Sequence, residues 1–396
     1  MRKNKSTMDS KKWVVCLGGS DSKIPIIQAV QDRGMRCAVV DHDSDSPAKR
    51  YADLFLNISI FDSVAIIDAL KQANILHATA FVFAYTSLQE GQLSASRLTK
   101  GLNIPINLKE SWLENSWNKI AFKRFCSATG ITTPAFTESL QGGGTHMFLE
   151  RYGKAVCKPI EGGVGSKSVF FVDMLNDEQV IDNSCFLEQY IDGDLYSYNG
   201  IAIKEEVPFS LVLRKYTRTD GKNIAGFSSR VDRKLGARII NQCKVAALSM
   251  HLRDTFFHFD ILVRDGVSYF IDFGLLLDCR VNELLLYGGF NAYGYILDEV
   301  LNLPTIEHVR YTKNETETAI AFVYPIQEGR LRSLPTSLST VLPGCSAYIW
   351  KKEGDFVKVE GTVEDEIGYV VGRDVDWSKV KNVAGMLEEE IIIEPV

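Results

Sequence analysis

The feature that most restricts the fold is an alternation of short apolar runs with amphipathic stretches over roughly the first hundred residues. "WVVCL" (13–17) reads as a buried strand and "SKIPIIQAVQDRG" (22–34) as a helix stopped by Gly34. "RCAVVD" (36–41) is a second strand. "DSVAIIDALKQA" opens with Asp62 or Ser63 as its N-cap and continues amphipathically, and "TAFVFAY" is a third strand. Strands separated by helices pair in parallel, because the crossover returns the chain to the same end of the sheet. The expectation is a doubly wound sheet, with Asp41 at the carboxyl edge where such sheets bind ligands. The first turn, "GGSDSK", lacks the G-x-G-x-x-G spacing of a dinucleotide site. A nicotinamide-linked oxidoreductase would therefore rest on this lead segment alone.

From about Ser111 the pattern changes. "SWNKIAFKRFCSATG" reads as one helix closing at Gly130, "QGGG" (141–144) as a loop, and a β-rich segment runs to about Tyr198. "DRKLGARIINQCKVAALSMHL" is a long helix with Leu235, Ile239, Cys243, Ala246 and Met250 on one face. After Pro304 comes a strand-and-turn segment. A chain of 396 residues supports several domains with sizeable cores. Its net charge of −6 argues against a general nucleic-acid binder, and no apolar stretch approaches membrane-spanning length. The eight cysteines form no C-x-x-C pair, so zinc is unsupported, and their apolar settings suit a reducing, cytoplasmic location. The charged N-terminus is followed by no signal-peptide hydrophobic run.

"GKAVCKPIEGGVGSKS" carries the chemistry. Gly162, Gly163, Gly165 and Ser166 leave backbone amides open to an anion, and Lys158 on the preceding strand supplies a point charge. The flanking runs "KAVCKPI" and "SKSVFFV" make a hairpin whose loop would close over a polyphosphate. The alternative is a flexible hairpin loop beside a surface lysine. The Walker pattern does not apply, since it places glycines before the lysine and a helix after it.

"FFHFDILVRDGVSYFIDFG" (256–274) is a second hairpin. A three-residue loop, "RDG", pairs Val263 with Val267, Ile261 with Tyr269, Phe259 with Ile271 and His258 with Asp272. Asp260 and Asp272 then become diagonal neighbours on one face, Cα atoms roughly 7–8 Å apart. A two-residue turn would put them on opposite faces. Two such carboxylates repel each other unless a cation lies between them, and Mg²⁺ suits a site completed by substrate phosphates. Otherwise each aspartate faces solvent, or His258 pairs with Asp272.

On these residues the chain resembles the ATP-grasp superfamily, and more narrowly its carboxylate–amine ligases. The resemblance also takes in "VVDHDSDSPAKRYAD" (39–53), which has an Ala-Asp before the next strand. It further includes "NKIAFKRFCSATGITTPAF" and "FLEQYIDGDLYS". It implies a Rossmann-like lead domain (about 1–110), a two-part grasp (111–305, flap portion about 130–195) and a small β-rich C-terminal domain (306–396). The fold class is thus α/β with α+β. It implies that Lys119 and Lys158 contact ATP phosphates. Glu188 and the backbone near Ile191 would meet adenine, Asp194 the ribose, and Asp260 and Asp272 one or two Mg²⁺. The family usually carries Glu at the second metal position, Asn two residues on and Arg four residues on. Here those positions hold Asp272, Gly274 and Leu276. Arg280 is the candidate replacement for the missing cation, facing a substrate carboxylate or acyl phosphate. Arg214, Arg218 and Arg230 are further candidates.

The implied activity is ATP-dependent ligation of a small acid, such as an amino acid, to an amine. The acid is activated as an acyl phosphate, with no catalytic Ser or Cys. The substituted metal hairpin supports an alternative, a nucleotide-binding regulatory or scaffold protein. A homodimer is the expected assembly, two-fold pairs being the commonest.

Overall fold

The computed structural model describes residues 11–84, 89–104, 109–138, 140, 144–162, 168–174, 184–221, 223–304, 317–335, 343–359 and 365–395. Strands β1 (Trp13–Leu17), β2 (Arg36–Asp41), β3 (Leu54–Asn57) and β4 (Thr79–Phe83) form a parallel sheet in the order β3-β2-β1-β4. Helices α1 (Ile24–Gln31), α2 (Ser63–Gln72) and α3 (Gln89–Leu102) connect and flank them. The sheet has one strand more than the apolar runs predict. β3 is a half-buried edge strand of four residues, too short to stand out, and it directly follows Ala52-Asp53. Asp62 caps α2 by accepting the Ala65 amide at 2.9 Å. Asp41 accepts the Gly19 amide at 2.6 Å and so fixes the first turn at the sheet's carboxyl edge.

The helix expected over residues 116–130 is α5 (Lys119–Thr129), and a separate helix that was not expected, α4 (Glu110–Trp117), precedes it. Asn118 breaks them with extended backbone, and its side chain caps α5 at the Ala121 amide. Gly130 ends α5 in the left-handed conformation. Helix α6 (Gly144–Tyr152) starts where the sequence suggested only loop; residues 141–143 lie outside the described residues.

Strands β5 (Lys154–Pro159), β6 (Phe170–Asp173) and β7 (Cys185–Gln189) form a small antiparallel sheet, β6-β5-β7, with the expected β5–β6 hairpin. Next come β8 (Asp194–Ile203), β9 (Glu206–Thr217), β10 (Ile224–Ser228), α7 (Arg233–Ser249), β11 (Thr255–Arg264), β12 (Val267–Gly274), α8 (Val281–Tyr287) and α9 (Ala292–Leu301). The face expected of α7 is its buried one, through Ile239, Cys243 and Ala246. The C-terminal strands are β13 (Thr318–Val323), β14 (Gly329–Ser333), β15 (Cys345–Ile349), β16 (Phe356–Val357), β17 (Gly368–Arg373) and β18 (Ile392–Glu394). Three of them extend an eight-stranded sheet, β12-β11-β8-β9-β10-β13-β17-β15, and β16-β14-β18 form a separate one. Helix α10 (Trp377–Glu390), which the strand-and-turn reading missed, buries Val380, Val383, Ala384 and Leu387 in the core beneath this segment.

The lead sheet and the large sheet share one apolar core, in which Val14 and Cys16 cluster with Ile201, Leu213 and Phe227. A buried ion pair, Arg33 to Asp298 at 2.6 Å, fastens α1 to α9. All eight cysteines are free thiols. No helix among the described residues is long and apolar enough to cross a membrane.

Gly226 lies in the middle of the large sheet, where a Cβ would come within 2.0 Å of the Ile320 carbonyl oxygen and 2.6 Å of the Trp377 ring. Gly226→Ala should therefore cost about 3 kcal/mol or more. An unfolding free energy from urea denaturation lowered by that amount is the expected result.

Candidate functional site

The β11–β12 hairpin turns on two residues, Asp265 and Gly266, with φ of +49° and +78°. It is a two-residue turn with both residues left-handed, not the three-residue loop expected. Arg264 therefore faces Val267, Val263 faces Ser268, and Ile261 faces Phe270. That register alone would place the two aspartates on opposite faces. A bulge corrects it: Ile271 is the extra residue, and Asp260 sits directly opposite Asp272. The carboxylates share a face as anticipated, but as a direct pair. His258 faces Gly274, not Asp272.

Gly274 stands where the resemblance leads one to expect Asn. A Cβ there would lie 2.3 Å from the His258 ring. The imidazole thus fills the space a side chain at 274 would need. Its Nδ1 donates to the Leu276 carbonyl at 2.8 Å, which leaves Nε2 the unprotonated nitrogen in the neutral ring.

The lysines converge on this face. Lys158 Nζ donates to Glu188 Oε1 at 2.6 Å. Lys123, fully buried on α5, pairs with the other Glu188 oxygen and donates to Thr133 Oγ1 at 2.7 Å and to the Phe270 carbonyl at 3.1 Å. Lys123 therefore ties the hairpin to the small sheet. Burial pushes the Glu188 carboxyl up, but the two lysines outweigh it and hold the group below its usual value. Burial lowers Lys123 despite its partner. Lys119 donates to the Gly162 carbonyl at 2.7 Å, and its amide to the Ile160 carbonyl at 2.8 Å, so the start of α5 grips the start of the flap loop. Burial raises Asp272, yet Lys119, Lys158 and His258 together bring it below the ordinary carboxylate range. Both lysines thus act on the hairpin carboxylate.

Asp260 has a different setting. Lys215 of β9 donates to both its oxygens, at 2.9 and 2.8 Å, and to Asp278 at 2.8 Å. Ser197 also donates to Asp278, at 2.7 Å. Burial raises the Asp260 carboxyl, with Lys215 opposing, whereas Lys215 and His258 carry Asp278 below its usual value against burial. His258, Asp260 and Asp278 bring three ligand-type atoms within 4.8 Å of one another.

Arg280 belongs to a separate group. It has left-handed backbone, φ +58°, just before α8. Its Nη1 donates to Glu283 at 3.1 Å, its Nε lies 3.4 Å from Glu366 Oε2, and its guanidinium sits 4.0 Å from the Trp350 ring centroid. Burial raises Glu366 to about 8, opposed by Arg280.

Of the other expected residues, Gly162 is left-handed at φ +72°, and Gly163, Gly165 and Ser166 lie outside the described residues. Glu188 is held by the two lysines, Ile191 is buried, and Asp194 opens β8 paired with Arg214 at 2.6 Å. Sequence reasoning missed Lys123, Lys215 and Asp278. Lys123 was within reach, because it lies four residues after Lys119 and so on the same helical face.

Residues 116–273 match the ATP-grasp domain family. No curated protein sequence matches the chain. Among solved structures, the chain is similar to an L-amino acid ligase from Bacillus licheniformis, at 15% identity and TM-score 0.75, covering 98% of this chain and 100% of that one. Phosphoribosylglycinamide synthetase from Anaerococcus prevotii has 15% identity, TM-score 0.73 and the same two coverages. The biotin carboxylase domain of Hydrogenobacter thermophilus 2-oxoglutarate carboxylase, a dimer in complex with MgADP and bicarbonate, has 12% identity and TM-score 0.73, covering 96% of this chain and 90% of that one.

Glu188→Gln leaves Lys123 buried without its counter-charge and should cost about 3–5 kcal/mol, read from the urea midpoint. Glu366 supplies a pH signature. Its proton is held more tightly in the folded chain, so this stabilisation is complete below about pH 4.5 and is lost as pH rises through about 8. Within that window the decline should approach about 1.4 kcal/mol for each pH unit crossed. Glu366→Gln should flatten it in denaturation curves from about pH 5 to 9.

Proposed function

We propose that the protein is an ATP-dependent, ADP-forming carboxylate–amine ligase, a reading that the match of residues 116–273 to the ATP-grasp domain family supports. What supports the reading is that the charges of Lys119, at the start of α5, and Lys158, on β5, both act on the Asp272 carboxyl of the hairpin and lower it. Two cations and an ionised carboxylate are what a magnesium–triphosphate complex requires.

The donor set fits magnesium. Phe273's own amide donates to one Asp272 oxygen at 3.0 Å, and no other described residue hydrogen-bonds this carboxylate. Asp260 would join it by sharing an oxygen that now accepts from Lys215. Bound there, Mg²⁺ would neutralise phosphate charge. Lys119 and Lys158 hold the phosphates. Adenine meets the backbone near Glu188 and Ile191, and the ribose meets Asp194. A substrate carboxylate oxygen attacks the terminal phosphorus as the bond to ADP breaks. The amine then attacks the carbonyl carbon, inorganic phosphate leaves, and the nitrogen loses a proton. Positioning and charge neutralisation carry both steps, so the absence of a side-chain nucleophile costs nothing. Arg280 is assigned to the substrate rather than to the phosphates. The free thiols fit a cytoplasmic location.

Leu276 in place of an expected arginine favours a second reading, nucleotide binding without turnover. A coupled assay separates the two: release of ADP that requires both an acid and an amine supports ligation. ATP binding with no turnover across a broad acid-plus-amine screen supports the second reading, and AMP release contradicts the acyl-phosphate route. Lys158→Met and Asp272→Asn should each weaken Mg·ATP binding about tenfold or more by calorimetry, corresponding to about 1.4 kcal/mol.

A further inference from the structure

His258 stands beside the hairpin carboxylates, and the nucleotide reading gives it no task. Its Nδ1 bonds the Leu276 carbonyl at 2.8 Å, and since a carbonyl only accepts, Nδ1 carries the proton. In the neutral ring the lone pair is then on Nε2, which has no hydrogen-bond partner among the described residues. Imidazoles that ligate metal ions characteristically give their other N–H to a backbone carbonyl or a carboxylate, which fixes both tautomer and ring orientation. His258 meets that condition before any ion arrives.

The ring is also in the right place. His258 and Asp260 are two residues apart on β11 and so share a face, and Asp260 sits opposite Asp272. Ligand-type atoms of His258, Asp260 and Asp278 lie within 4.8 Å of one another. A charge on the ring acts on Asp260, Asp272 and Asp278 alike. These carboxylates differ in the capacity they have left. Lys215 donates to each Asp260 oxygen, which leaves each a second lone pair. One Asp272 oxygen accepts the Phe273 amide, and the other accepts from no described residue. In Asp278 one oxygen is taken by Lys215 and Ser197 and the other by the Cys279 amide. Asp260 and Asp272 are therefore the better ligands to join the imidazole.

We propose that His258 Nε2 ligates the metal ion at this hairpin together with Asp260 and Asp272, so that the site prefers a divalent transition ion, such as Mn²⁺ or Co²⁺, to Mg²⁺. Mg²⁺ keeps to oxygen donors and gains little from a nitrogen, whereas transition ions bind imidazole well. Gly274 is what admits the nitrogen. A Cβ at that position would lie 2.3 Å from the His258 ring and would evict it. The inference deepens the ligase reading and rests on it for the ion's place on the two aspartates.

The test is pulsed EPR of the full chain loaded with Mn²⁺, with and without a non-hydrolysable ATP analogue, beside calorimetric titrations of Co²⁺ and Mg²⁺. The bound Mn²⁺ should show a nitrogen hyperfine coupling that isotopic labelling of the histidine nitrogens alters, which separates it from the nitrogens of adenine. His258→Gln should remove that coupling and weaken Co²⁺ by about tenfold or more, while Mg²⁺ changes far less. The wild-type spectrum alone decides the matter if the variant fails to fold. The proposal is overturned if labelling leaves the coupling unchanged, if the coupling survives in His258→Gln, or if Co²⁺ and Mg²⁺ weaken equally in that variant. Mg·ATP analogue bound with no histidine coupling would sink this inference and leave the ligase reading standing. Histidine coupling in a chain that binds no nucleotide would do the reverse.

Discussion

The buried carboxylate of Glu188, held between Lys123 and Lys158, is the contact on which the arrangement depends. A glutamate at 2% exposure is tolerable only with its charge matched, and here two cations match one anion. The three groups come from α5, β5 and β7, and Lys123 continues to the Phe270 carbonyl of β12. One side chain thereby sets the small sheet against the hairpin of the large sheet. Without that tie, Lys158 and Asp272 would have no reason to face the same space. The excess positive charge that remains suits a polyphosphate, the occupant proposed for this site.

The hairpin shows a second economy. A two-residue turn is the natural companion of twisted strands, but here it would separate the carboxylates by a face. The bulge at Ile271 restores them to one side. Gly274 then makes room for His258, whose ring occupies the place of the side chain the resemblance leads one to expect. Lys215 supplies a cation beside Asp260, in a neighbourhood where Leu276 supplies none. The departures from the expected motif are thus matched by neighbours present in the structure.

Much of this was legible in the sequence, for identifiable reasons. Buried strands such as Trp13–Leu17 are unbroken apolar runs, and Asp62 and Gly130 announce helix ends through their chemistry. Lys158 and the two aspartates stood out because each lies beside local punctuation, a glycine run or a turn, whereas Lys119 came only from the family resemblance. What stayed hidden depends on contacts distant in sequence. Lys215 and Asp278 meet across 63 residues, and nothing near either one signals the other. The bulge is invisible because period-two alternation cannot show where one residue is skipped. β3 was too short for its pattern to register, and α10 was masked by turn-forming residues before it.

The central claim is that a magnesium–triphosphate complex lies between the two lysines and the hairpin. A crystal structure of the full chain with Mg²⁺ and a non-hydrolysable ATP analogue tests it most directly. The account predicts the terminal phosphates within hydrogen-bond distance of Lys119 and Lys158, with a metal ion on Asp272. A nucleotide seated at the lead sheet instead, with this cleft empty and Asp272 bare, would contradict it.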